Sequence, residues 1–160
     1  MTLRLAVVAT IVGVLAGGAA TGGDPVSWTA VEVPSGRTVP VLERGVVRHV
    51  VFFATWCPPC VAELPRLTEL EARYGESGYE LAVVAVSARH SLDRLAAFWE
   101  SHNVPGRLLF DADGALERAL TVDGLPTHLV FDADGVEVLR AGSVREGVRE
   151  AVEQRVHEQD

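Results

Sequence analysis

The sequence predicts an α/β fold, a mixed central sheet with helices on both faces and a β-hairpin extension at the N-terminal end. Three observations carry this. Apolar, β-branched runs alternate with helix-period segments through the middle of the chain, which favours parallel strands joined by crossover helices. Two strand-like runs about a tight turn and one amphipathic segment close the chain. Two shorter runs about Pro34-Ser35-Gly36-Arg37 open the globular part.

Taken in order, Trp28–Val33 and Thr38–Leu42 form the opening hairpin. Val46–Ala54 reads as a buried strand interrupted by Arg48 and His49. Pro58–Tyr74 is helical: Leu64, Leu67, Leu70 and Tyr74 recur at spacings of three and four, and Gly75 stands where helix C-termini favour glycine. Tyr79–Val86 is a second buried strand. Ser91–His102 is an amphipathic helix with Leu92, Leu95, Phe98 and Trp99 on one side. Arg107–Phe110 is a short strand and Ala115–Leu120 a small helix. Thr127–Phe131 and Val136–Arg140 flank a turn, and Val144–Val156 forms the last helix. The pentapeptide Phe-Asp-Ala-Asp-Gly occurs at 110–114 and 131–135. Neither copy has the further oxygen ligands or the closing Glu of a calcium loop, so both read as turns.

A chain of 160 residues holds one ordinary domain plus a short appendage. The net charge of −8 leaves no basic patch to neutralise phosphates and argues against nucleic-acid binding. All 14 basic residues are Arg. Arg4 precedes sixteen uncharged residues, Leu5–Ala20, and the next charge is Asp24. That pattern, with the small residues Gly17, Gly18, Ala19 and Ala20, suits a signal peptide or a membrane anchor over 1–23, with one domain over 24–160. No cysteine lies near this segment to carry a lipid. The expected location is extracytoplasmic, in the periplasm or cell envelope.

Cys57 and Cys60 are the only cysteines, placed where a buried strand gives way to a helix. With Cys57 as N-cap, Pro58 and Pro59 fall on the first helical positions, where a missing N–H costs nothing. Cys57 then faces the positive end of the helix dipole and free N–H donors, which favour a thiolate. Cys60, three residues on, shares its face and is within reach of a disulfide. Cys57 is thus the expected attacking thiol and Cys60 the resolving one. A structural disulfide closing so short a loop would constrain the unfolded chain little. Zinc would need two further ligands, and covalent haem would need His where Val61 stands.

Phe52-Phe53-Ala54-Thr55-Trp56-Cys57-Pro58-Pro59-Cys60, Pro65 five residues later, and Gly124-Leu125-Pro126-Thr127 together resemble the thioredoxin superfamily over roughly residues 24–157. The resemblance implies a thioredoxin fold, a redox-active Cys57–Cys60 disulfide, no cofactor or metal, and a cis bond before Pro126. It also implies that Trp56, Leu125, Pro126 and Thr127 bind substrate, the Leu125 backbone pairing with a substrate strand. Two departures narrow the branch. Ordinary thioredoxins carry a buried Asp six residues before the first cysteine, where this chain has Val51; Glu63 instead lies three residues after Cys60. That arrangement, with a long segment over 90–120, resembles the TlpA/ResA-like exported proteins.

A carboxylate half-buried there holds a proton more readily than one in water, which would let Glu63 shuttle the Cys60 proton; a solvated helix glutamate is the alternative. His128 reads most simply as a half-exposed strand histidine, or else as a residue beneath the active site. Pro58-Pro59 supplies no cation to hold the thiolate, so the pair leans toward a reductant. Similar exported reductants serve apocytochrome c or other oxidised secreted proteins and are recharged by a membrane thiol transporter. The rivals are a disulfide-forming or isomerising oxidase, a copper-delivery protein using both thiolates, and a binding module that captures a partner at the Leu125 edge without turnover.

Overall fold

The computed structural model describes residues 28–103 and 106–159; the proposed targeting segment 1–23 lies outside them. The strands are β1 (Thr29–Glu32), β2 (Thr38–Pro40), β3 (Val47–Phe53), β4 (Tyr79–Ala85), β5 (Arg107–Phe110), β6 (Thr127–Phe131) and β7 (Glu137–Ala141). The helices are α1 (Pro58–Tyr74), α2 (Leu92–His102), α3 (Ala115–Ala119) and α4 (Val148–His157). One sheet runs β2-β1-β5-β4-β3-β6-β7. Strands β3, β4 and β5 are parallel, and the remaining pairings are antiparallel. This is the mixed sheet expected, with the opening hairpin extending it beyond β5.

Burial explains the order. Every residue of β3 is buried, so both faces of the sheet centre are covered. Helices α1 and α4 lie side by side on one face: Leu64, Leu67 and Leu70 of α1 and Val148, Val152 and Val156 of α4 enter the core at helical spacing. Phe98 of α2 brings its ring within 5.5 Å of that of Phe53. Pro65 stands inside α1, which continues past it.

Helix α1 ends at Tyr74 with Gly75 as its C-cap, as expected, and a short 3₁₀ turn over Gly75–Ser77 then leads to the left-handed Gly78 (φ 82°). One boundary moves by more than two residues. The last helix starts at Val148 rather than Val144, since Gly147 (φ 80°) is left-handed and sets the N-terminus there. Both Phe-Asp-Ala-Asp-Gly copies are turns, with Gly114 and Gly135 at positive φ. The Asp111 carboxylate accepts from the Leu116 and Glu117 N–H groups and so caps α3. Asp132 accepts from Asp134 and Val136 and closes the β6–β7 turn.

Candidate active site

Cys57 is the N-cap of α1, and Pro58 and Pro59 take its first positions. The chain enters through a turn in which Cys57 N–H donates to Ala54 C=O at 3.1 Å. Cys57 and Cys60 are joined by a disulfide and almost wholly buried, while Pro58 and Pro59 are exposed above them. Cys60 N–H donates to Cys57 Sγ at 3.3 Å, one of the free helix-end donors turned on sulfur. Trp56, 46% exposed, is the largest apolar side chain on this rim.

A clasp from the β4–α2 connection holds the rim. His90 Nδ1 lies 2.8 Å from Val86 C=O, which only accepts, so Nδ1 carries the hydrogen. Nε2 of the neutral ring is then the acceptor, and Thr55 N–H donates to it at 3.2 Å. Trp56 Nε1–H donates to Ala88 C=O at 3.1 Å, and the Arg89 guanidinium lies over the indole, 5.6 Å from its centre. The sequence reading did not single out His90 or Arg89.

Leu125–Pro126 is a cis peptide bond. Pro126 is buried, and Leu125 and Thr127 are half-buried. Thr127 pairs with Phe52 across β6 and β3, so this loop lies at the end of the sheet where β3 passes into the cysteine turn. Thr127 Oγ–H donates back to Gly124 C=O at 2.7 Å.

Glu63 is neither solvated nor unpartnered: its side chain is 14% exposed and accepts three hydrogen bonds. Ser143 O–H (2.6 Å) and Val144 N–H (3.2 Å) donate to Oε1, and His128 Nε2 lies 2.8 Å from Oε2. This corrects the reading of His128 as half-exposed, because the ring is completely buried. It lies in β6 between β3 and β7 and under α1, where no solvent edge exists. Its Nδ1 meets His49 Nε2 at 3.0 Å, and His49 Nδ1 meets the Tyr79 hydroxyl at 2.9 Å. Burial pushes the His128 pKa down against the pull of Glu63. Burial, then His128, pushes that of His49 well below the usual histidine range, and burial raises Tyr79 well above its own. His49, Tyr79 and Ser143 were not read as site residues from the sequence. The one available signal was that two histidines stand inside otherwise apolar strands.

A groove of about 400 Å³ between α1 and α4 is lined by Arg66, Arg73, Arg145 and Arg149 and includes neither cysteine.

Residues 34–154 match the Redoxin family. A thiol-disulfide oxidoreductase ResA of Bacillus thuringiensis subsp. konkukian is 28% identical over 101 residues, covering 62% of this chain and 57% of that protein. A thioredoxin-like protein YneN of Bacillus subtilis is 35% identical over 88 residues, covering 53% and 49%. The chain thus spans about half the length of these relatives. A candidate thiol:disulfide interchange protein DsbE of Chlorobium tepidum superposes with a TM-score of 0.69 at 25% identity, covering 83% of this chain and 94% of that one. With a cysteine pair capping α1 and a cis-proline loop at the same end of a mixed sheet, the chain belongs to the Redoxin family, within the TlpA/ResA-like branch of the thioredoxin superfamily.

Proposed function

We propose that this protein is an exported thiol–disulfide oxidoreductase that reduces disulfides in extracytoplasmic proteins. The observation that carries the reading is the Cys57–Cys60 disulfide closing the N-terminus of α1. The names of the ResA relative and the DsbE-type structure support the same reaction. The charge-free stretch Leu5–Ala20 after Arg4 supports export.

In the reduced protein the Cys57 thiolate, favoured by the helix end, attacks one sulfur of a substrate disulfide. The second substrate sulfur leaves as a thiolate and takes a proton from water. A mixed disulfide now joins Cys57 to the substrate. Glu63 takes the proton from the Cys60 thiol, and the Cys60 thiolate attacks Cys57 Sγ. The Cys57–substrate bond breaks with its electron pair on the substrate sulfur, which takes a proton from Glu63 or water. The protein ends as the disulfide and the substrate as two thiols, so two electrons and two protons have moved. Trp56, Leu125, Pro126 and Thr127 form the docking rim, with the Leu125 backbone pairing to an extended substrate segment. Apocytochrome c is one substrate of this kind, and a membrane thiol transporter is the matching electron source.

The test is the Cys57–Cys60 reduction potential, measured against glutathione or dithiothreitol buffers. A value near the thioredoxin end, about −250 mV or lower, supports a reductant; one near about −120 mV makes the protein a disulfide-forming catalyst.

A further inference from the structure

The buried side chains Tyr79, His49 and His128 form a hydrogen-bonded line that ends on Glu63. A carboxylate only accepts, so His128 Nε2 bears the hydrogen. A neutral imidazole has one, so His128 Nδ1 must accept, and His49 Nε2–H is its donor. His49 Nδ1 is then an acceptor as well, filled by the Tyr79 O–H. With both rings at zero exposure and neutral, each contact dictates the next, and every hydrogen points toward Glu63.

We infer that Tyr79, His49 and His128 are positioning residues that hold Glu63 as a hydrogen-bond acceptor and thereby set the pH at which Cys60 resolves the mixed disulfide. This deepens, and rests on, the reading of Glu63 as the base for Cys60. The line carries no proton away, because Tyr79 closes it deep in the core. Glu63 Oε1 is filled by Ser143 O–H and Val144 N–H, so the proton from Cys60 goes to Oε2, beside the His128 N–H. To donate that proton to His128 Nε2 instead, both histidines would have to change tautomer, and the Tyr79 hydrogen would lose its acceptor. The Tyr79 hydroxyl is the stop that prevents the reversal. The other ionisable groups facing the line are Glu146, acting on His128 from the β7–α4 connection, and Glu71 of α1, acting on Tyr79. Tyr74 of α1 packs edge-on to the Tyr79 ring.

The experiment uses the full chain carrying Tyr79→Phe, which removes one oxygen and keeps the ring in the core. Resolution is followed as release of glutathione from a Cys57–glutathione mixed disulfide between pH 5 and 9. The midpoint of the pH–rate profile rises by about one unit, a tenfold slower rate below it, while the high-pH plateau is unchanged. Nitrogen-15 NMR of the wild-type protein at pH 7 shows both buried histidines neutral with hydrogen on Nε2. An unmoved midpoint, or hydrogen on His128 Nδ1, overturns the inference. Glu63→Gln separates the two levels. If it resolves at the wild-type rate, Glu63 is not the base and the underlying reading fails. If it is slow while Tyr79→Phe keeps the wild-type midpoint, only the line fails.

Discussion

Replacing Glu63 by Gln and by Leu tests whether its three donors do structural as well as chemical duty. Ser143 O–H, Val144 N–H and His128 Nε2–H all end on this carboxylate. In Glu63→Gln the amide oxygen keeps the first two, but its NH₂ group meets the His128 N–H. The conflict is relieved if both histidines change tautomer, which leaves the Tyr79 hydroxyl hydrogen without an acceptor. One orphaned buried donor, with two charge-assisted bonds made neutral, costs about 2 kcal/mol. Glu63→Leu orphans all three donors, about 5 kcal/mol before two offsets: Ser143 can turn to water, and the carboxylate's own desolvation is relieved. The net is about 3 to 4 kcal/mol. Guanidinium unfolding of the oxidised proteins at pH 7 measures the difference, and stopped-flow resolution of a Cys57-linked mixed disulfide measures the chemistry. Both variants should resolve about 10²–10⁴-fold more slowly, the range that a positioned base contributes. Equal stability losses for Gln and Leu would refute the account of the donors, and a wild-type resolution rate would remove Glu63 from the mechanism.

Stability should fall as pH drops below about 6.5, the value at which unfolded histidines take up protons. His49 and His128 are both held below that value by burial, so their contribution is complete above it. From pH 7 to 5.5 denaturation should show a loss of about 2 kcal/mol, roughly halved in His128→Gln. The Arg48 side chain is 1% exposed and its partner Glu80 39%. Glu80→Gln leaves the buried cation only Glu43, 3.9 Å away, and should cost about 2 kcal/mol in chemical denaturation, whereas Arg48→Met leaves carboxylates that water can reach and should cost under about 1 kcal/mol. His90→Ala frees Thr55 N–H and Val86 C=O beside the cysteine turn. Formation of the Cys57 mixed disulfide should slow by about tenfold or more, with the resolution step unaffected, in a rapid-quench thiol-trapping assay.

Most of the fold was legible because its signals are local. The β-branched runs at 47–53 and 79–85, the leucines of α1 and the glycine turns each identify an element without reference to distant residues. The cysteine turn was legible for the same reason, since the pair, the prolines and the helix end lie within four residues. The partners of Glu63 were not legible. Ser143 and His128 are 80 and 65 residues away, and His49 reaches His128 across 79. No periodicity encodes that juxtaposition. The polarity of His49 and His128 within apolar strands marked both positions as anomalous, but only the β3–β6 register and α1 overhead bring them onto one carboxylate. His90 escaped for a related reason: it acts through backbone groups of Thr55 and Val86, which carry no side-chain signature.

The two sulfurs are supported from different parts of the molecule, and this bears on how the pair can be tuned. Cys57 depends on what lies at the rim: the end of α1, the Cys60 N–H, and a turn whose Thr55 and Trp56 are clasped by His90 and Ala88 of the β4–α2 connection. Cys60 is buried, and in the proposed mechanism its chemistry depends on Glu63, whose own partners come from the sheet interior and the β7–α4 connection. On that mechanism, rim contacts act on the thiolate that attacks and so on the first step, and core contacts act on the proton that must leave before resolution. Because the supports share no residue, the His90 and Tyr79 substitutions should act independently: in the double variant the attack step should change as in the His90 variant alone and the resolution step as in the Tyr79 variant alone. A double variant in which either step, measured separately, departs from its single-variant value by more than about 0.5 kcal/mol would mean that the clasp and the buried line communicate through the cysteines themselves.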